Sequence, residues 1–226
     1  MITYQDIVND EEIQLLIDTA ERQLVEIGYT EHGLRHLTIV AERAAYILKE
    51  LGYTERECEL AKIAAHLHDI GNAVNRNDHA HTGAIMAYNL LKERGMDKKE
   101  AAEIMMAIGN HDEQTGSPIS PLAAALQIAD KSDVHRLRVR EANKSRFDIH
   151  DRVNYAVEEA WVEVIDSTNS FHNCEKEVIL KLKIDTDICP VIKYFEIFLG
   201  RMLMCKNAAS YLGVWFHLEM NGTTLL

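Results

Sequence analysis

The sequence predicts a mainly α protein: a helical bundle over residues 1–149, followed by a small α+β subdomain over 150–226. Three observations carry this reading. Through the first part of the chain, apolar side chains recur every three to four positions, which gathers them on one face of a helix. N-cap residues and glycines punctuate those stretches where helices start and stop. Near residue 150 the texture changes to β-branched and aromatic residues with period-two stretches, as in half-exposed strands.

Asp10-Glu11-Glu12 opens a helix whose apolar positions are Ile13, Leu16, Ile17, Ala20, Leu24 and Ile27, and Gly28 closes it. A second helix starts near Leu34, carries Val40, Ala44, Ile47, Leu48 and Leu51 on one face, and stops at Gly52. Thr54 with Glu57 three residues on is a capping box, and the helix it opens runs through Leu60, Ala64 and Leu67 to Ile70. Residues 71–78 read as a loop, 79–94 as a helix ended by Gly95, and 97–111 as another. Gln114 to Pro118 is a turn, and Pro121 falls in the first turn of a helix reaching about Asp130. Beyond 150, Val153–Val157, Trp161–Ile165, Val178–Ile184 and Val214–Met220 read as antiparallel strands. A helix over about 190–212 lies between the last two, and Asn221-Gly222 is a hairpin-type turn.

Composition excludes several classes. Three prolines in 226 residues argue against long extended linkers or disordered tails. A net charge of 24 − 36 = −12 disfavours binding to long nucleic acid or an anionic membrane. No apolar run approaches the ~20 residues of a membrane helix, and no leader pattern opens the chain, so a cytoplasmic location is expected. The four cysteines show no paired spacing and read as reduced core thiols.

Histidine is the anomaly: eleven in all, six of them within residues 32–81. Several stand where a helix face should be apolar. Leu60 and Ala64 lead by four-residue steps to His68, with Asp69 beside it; His36 leads into Val40 and Ala44. Ile104 and Ile108 precede His111, and Leu122 and Leu126 lead to Asp130. Burying one such group unpaired costs several kcal/mol. Four helices doing so together call for a shared partner, and a divalent cation fits imidazole and carboxylate ligands best.

The stretch Ala64-Ala65-His66-Leu67-His68-Asp69-Ile70-Gly71-Asn72 resembles the H-D-I-G core of the HD superfamily of metal-dependent phosphohydrolases. His36, His68, Asp69 and Asp130 match the family's H…HD…D pattern in order, and Ala129-Asp130 resembles its closing step. His79 with Gly83 resembles the H-x-x-x-G step of the two-metal members. Asn110-His111-Asp112-Glu113 resembles their H-H-E step, with Asp112 in place of the second His. The resemblance covers about residues 30–146. It implies an HD-type helical bundle holding one or two divalent ions (Mn, Fe, Zn, Ni, Co or Mg). His36, His68, Asp69 and Asp130 would bind one, with Asp69 bridging to a second at His79 and His111.

The activity so implied is hydrolysis of a phosphomonoester or phosphodiester, nucleotide-like, by metal-activated water. Asp69, His111 and Asp112 would carry catalysis. Asn72, standing where many relatives have lysine, would meet the substrate together with Lys131 and Arg136. Lys131, Arg136, Arg138, Arg140, Lys144 and Arg146 place six cations in sixteen positions, a local funnel for a small phosphorylated substrate. The alternative is a metal-containing regulatory module that binds such a ligand without turnover. His32 is read as a neighbour of the site more than a ligand. His81 is read in the same way, His66 as facing elsewhere, and His135, His150, His172 and His217 as ordinary. Residues 150–226 match no module, and a strand edge there suggests a homodimer.

Overall fold

A computed structural model describes residues 1–140, 149–167 and 174–225. The chain is mainly α, with a small sheet near the C-terminus. Its helices are α1 (Tyr4–Val8), α2 (Glu11–Glu26), α3 (Leu34–Glu50), α4 (Glu55–Leu67), α5 (His79–Glu93), α6 (Lys98–Gly109), α7 (Pro121–Ser132), α8 (Ile149–Ala156) and α9 (Val191–Tyr211). The strands are β1 (Val157–Asp166), β2 (Lys176–Ile184), β3 (Trp215–Met220) and β4 (Thr223–Thr224). Short 3₁₀ turns cover Ile70–Ala73 and Arg136–Arg138.

The helix ends follow local chemistry. Thr54 and Glu57 form the reciprocal cap: the backbone N–H of Thr54 donates to Glu57 at 2.8 Å and that of Glu57 to the Thr54 hydroxyl at 3.3 Å. Ser120 accepts from Ala123 at 3.1 Å with Pro121 in the first turn; removing such a cap costs about 1 kcal/mol. Residues Leu122 to Ser132 are all buried, as befits a helix that is apolar nearly all round. α7 is therefore the axle of the bundle, packed against α3, α4, α6 and α9. Its alanines at 123, 124, 125 and 129 let those neighbours approach closely.

Gly71 fixes the next turn. A β-carbon there would stand 2.0 Å from the carbonyl oxygen of His79 and 2.5 Å from the nitrogen of Gly83. The chain after His68-Asp69 thus lies directly on the first turns of α5, and only glycine permits it. This contact sets the distance between Asp69 and His79.

Two expectations for the C-terminal region are corrected. Val153–Val157, read as a strand, is helix α8 up to Ala156, because Val153 and Ala156 bury together at helical spacing. The sheet is not all antiparallel: its order is β1-β2-β3-β4, and β2 pairs with β3 in parallel. α9 is the crossover that a parallel pair requires. Trp161–Ile165 falls within β1, which pairs antiparallel with β2. The third expected helix also ends early, at Leu67, and the fifth ends at Gly109, so His68, Asp69 and His111 occupy helix ends.

The two regions share one continuous set of buried apolar residues, from Ile7 to Met220. α9 packs on α7, and β1 on α3. Arg43 of α3 donates to Ser132 at 2.9 Å and to the carbonyl of Ala160, and Tyr46 accepts from the N–H of Val164 at 3.2 Å. No helix among the described residues is long and apolar enough to cross a membrane.

Candidate metal centre

Five elements deliver six side chains to one point. His36 comes from the first turn of α3, His68 and Asp69 from the end of α4, and His79 from the start of α5. His111 follows α6, and Asp130 lies in the last turn of α7. All are buried, Asp130 most exposed at 8%. Among the described residues, the ligand atoms of His36, His68 and Asp130 lie within 4.8 Å of one another, as do those of His68, Asp69 and His111.

Each imidazole is held by its Nδ1. That nitrogen lies 2.6 Å from the Ala65 carbonyl in His68, 3.1 Å from that of Arg76 in His79, and 2.7 Å from that of Ile108 in His111. In His36 it lies 2.8 Å from the Asp133 carboxylate. Carbonyl and carboxylate oxygens only accept, so every Nδ1 carries the proton and donates. Every Nε2 then faces inward, open to a proton or a cation. His36 Nε2 and His68 Nε2 are buried with no hydrogen-bond partner.

Asp69 stands in the middle with one oxygen toward each side. Its Oδ2 is 3.3 Å from His68 Nε2 and 4.0 Å from His36 Nε2. Its Oδ1 is 3.4 Å from His79 Nε2 and 3.8 Å from His111 Nε2. Asp130 Oδ1 closes the first group, 3.4 Å from His36 Nε2 and 3.8 Å from His68 Nε2.

The electrostatics suit a cation. Burial pushes the Asp69 carboxyl up, but the surrounding imidazoles, His68 foremost, outweigh it and hold it well below the usual range. Asp130 is likewise raised by burial and lowered further by Lys131 and His36. Burial lowers His79 to about 4 and lowers His111 too, so both are neutral imidazoles near pH 7, the form that binds metal. Burial also pulls His68 down, yet Asp69 and Asp130 prevail and raise it. The two carboxylates demand positive charge at that point. Buried orphan nitrogens, fixed tautomers and paired carboxylates together fit a divalent ion.

A cavity of about 700 Å³ opens on this cluster. Asp69, His79, His111 and Asp130 form one wall, and Asp112 and Lys131 line it as well. Lys131 lies 2.6 Å from Asp130 Oδ2. Asn72 and Arg136 are not brought to the cavity. Asn72 is fully buried behind Asp69 and donates to its Oδ1 at 2.9 Å, so it steadies a ligand instead of facing a substrate. Arg136 pairs with Glu158 at 3.2 Å and lies over Tyr155. Arg140 donates to the Tyr29 carbonyl at 3.0 Å and pairs with Glu21 at 2.5 Å; Lys144, Arg146 and His172 lie outside the described residues.

His32 lines the cavity, its Nδ1 2.7 Å from the Thr30 carbonyl and its ring edge-on to His36. His66 is buried elsewhere, against Tyr4 and Gln14. His150, read as ordinary, lines the cavity, as do Arg76 and Arg201, which carried no motif.

Residues 33–134 match the family model of the HD domain. Those residues are an HD domain. An uncharacterized protein of Methanocaldococcus jannaschii is 29% identical over 171 residues, 65% of this chain and 65% of its own length. Ribonuclease Y of Lawsonia intracellularis is 36% identical over 106 residues, 46% of this chain and 18% of that protein. A crystal structure described as a predicted HD superfamily hydrolase, from an uncultured Thermotogales bacterium, aligns at 30% identity with a TM-score of 0.44. The alignment covers 55% of this chain and 67% of that one. The HD domain thus contains all six clustered side chains and Asp133, while α8, α9 and the sheet lie beyond it.

Proposed function

We propose that the HD domain is a metal-dependent phosphohydrolase acting on a small, nucleotide-like phosphate ester. His36, His68, Asp69 and Asp130 would hold one divalent ion, and Asp69, His79 and His111 a second. Such ions supply Lewis acidity, drawing charge from phosphoryl oxygens and making water a stronger acid near neutral pH. The observation that carries the reading is the inward set of Nε2 atoms around a two-sided Asp69.

The chain's own residues do the rest. Asn72 fixes the Asp69 carboxylate through its amide. Lys131 holds the free oxygen of Asp130 and adds positive charge beside the phosphoryl position. Asp112, at the cavity wall after His111, is placed to take up or return a proton. The cavity has the volume of a nucleotide-sized site, which favours a small substrate over a long polymer.

The test is a hydrolysis screen with added Mn²⁺. Nucleoside mono-, di- and triphosphates and an aryl diester are offered to the wild type, His68→Ala and Asp69→Ala. Phosphate or alcohol release by the wild type, lost in both variants, supports the enzyme. Tight nucleotide binding with no release favours the regulatory module.

A further inference from the structure

The cavity extends past the metal cluster to a wall that the HD domain does not build alone. Arg138, from the 3₁₀ turn after α7, and Arg201, from α9, both line it. Arg138 is 3% exposed. Its Nε donates to the Glu31 carbonyl at 3.0 Å and its Nη1 to the Asp133 carbonyl at 2.9 Å, which fixes the plane of the fork. Its Nη2 is buried and has no partner. A buried guanidinium N–H without an acceptor is costly unless a ligand supplies one.

Arg201 is fixed by different means. It stacks on Phe198, 4.1 Å from the ring centroid, and its Nε lies 3.4 Å from Glu113. Its Nη atoms make no hydrogen bond to a described residue. Both guanidiniums line the same cavity, and burial and then the charge of Arg138 lower the proton affinity of Arg201. Arg138 Nε lies 3.7 Å from the buried Asp133 carboxylate, which leaves its Nη2 edge for a further acceptor, and a forked donor matches phosphate oxygens. Asp112, Glu113, Asp130 and Asp151 also line the cavity, but Glu113 takes up only the Nε edge of Arg201.

A second unpartnered atom lies on the same wall. Asn154 of α8 is 3% exposed; its Nδ2 donates to the His150 carbonyl at 2.9 Å, while its buried Oδ1 has no partner. The wall therefore offers donors for an anion and an acceptor for an N–H or O–H.

We propose that Arg138 and Arg201 form an anion subsite gripping a phosphate of the substrate, with Asn154 receiving a hydrogen-bond donor from the remainder. The C-terminal region then completes the active site through α8 and α9. The anion subsite stands on its own geometry; its assignment to a substrate phosphate rests on the hydrolysis proposed above.

Calorimetric titration of the 226-residue chain with inorganic phosphate tests it. Arg201→Gln is expected to weaken binding by at least about tenfold, Arg201→Lys by less, since lysine keeps the charge but not the fork. Arg138→Lys covers the case in which Arg138→Gln fails to fold, and thermal melts confirm which variants are folded. Arg140→Gln, outside the cavity, should bind as the wild type does. With any ester that is turned over, Arg201→Gln should raise KM by about tenfold and change kcat by less than about threefold. No phosphate binding by the wild type, or equal binding by folded Arg201→Gln, overturns the subsite. Loss of phosphate binding in Arg201→Gln, with no ester hydrolysed by the wild type, upholds the subsite and rejects the hydrolase reading.

Discussion

The Nε2 atoms of His79 and His111 lie 3.1 Å apart, while the Nδ1 of each ring is committed to a backbone carbonyl. Two lone pairs at that distance repel unless a positive group lies by them. Arg76 approaches one, with Nη1 3.3 Å from His79 Nε2, and Asp69 Oδ1 faces both. A shared cation would resolve the contact. His79→Ala is therefore expected to lower bound metal from about two equivalents to one, measured by elemental analysis after reconstitution and desalting. An unchanged stoichiometry would assign His79 a packing role only.

Asp133 lies behind the first group of ligands. It accepts from His36 Nδ1 at 2.8 Å and from both Nη atoms of Arg35 at 3.1 and 3.2 Å. His36, the Arg138 guanidinium 3.7 Å away and Arg35 hold its carboxyl far below the normal range against the upward push of burial. Asp133→Asn should weaken metal binding by about tenfold or more, because it loosens the orientation and basicity of His36. Competition with a calibrated chelator reads this out; a variant that competes as well as the wild type would contradict it.

Gly71→Ala should destabilise the fold by about 3 kcal/mol, since its new methyl meets backbone atoms of His79 and Gly83 that cannot step aside. The same shift moves Asp69 from His79, so the variant should lose metal even where it stays folded. Urea unfolding and metal analysis check the two effects separately.

Hydrogen bonds from Arg94 at 2.6 and 2.7 Å hold the Asp10 carboxyl at about 2, against an ordinary value of 3.8. The unfolded chain takes up that proton more readily than the folded one. The contribution is therefore complete above about pH 4 and fades as pH falls toward 2. With Asp10 partly exposed, the pair contributes roughly 1 kcal/mol. Asp10→Asn, which keeps an N-cap for α2, should be less stable than the wild type by that amount at pH 6. The gap should close near pH 2 in parallel urea titrations.

Much of the candidate centre was legible in the chain. Polar residues interrupting apolar helix faces mark His36, His68, His111 and Asp130, and the Asp69 and His79 positions follow from the family resemblance. The supporting residues were less so. Asp133 directly follows the helix carrying Asp130, yet nothing in its neighbours announces a bond to His36 ninety-seven positions away. The family resemblance points Asn72 at the substrate and the run of basic residues points Arg136 there, but burial and Glu158 respectively claim them. Arg201 is the one arginine of α9, and nothing in its neighbours announces a cavity until α9 packs on α7. For the sheet, a 21-residue helix between two alternating runs was a visible sign of a parallel pair, because a crossover of that length can return the chain in the same direction. Residues 153–157 misled through β-branched content, which tertiary burial of Val153 and Ala156 overrode.

The central claim is that His36, His68, Asp69, His79, His111 and Asp130 are a metal centre. Elemental analysis of the 226-residue chain after Mn²⁺ loading and exhaustive desalting tests it most directly, with Asp69→Ala as comparison. The account predicts about two tightly held equivalents in the wild type and loss of most of that metal in folded Asp69→Ala. A wild type that retains no stoichiometric metal, or a folded Asp69→Ala that retains as much, would contradict it.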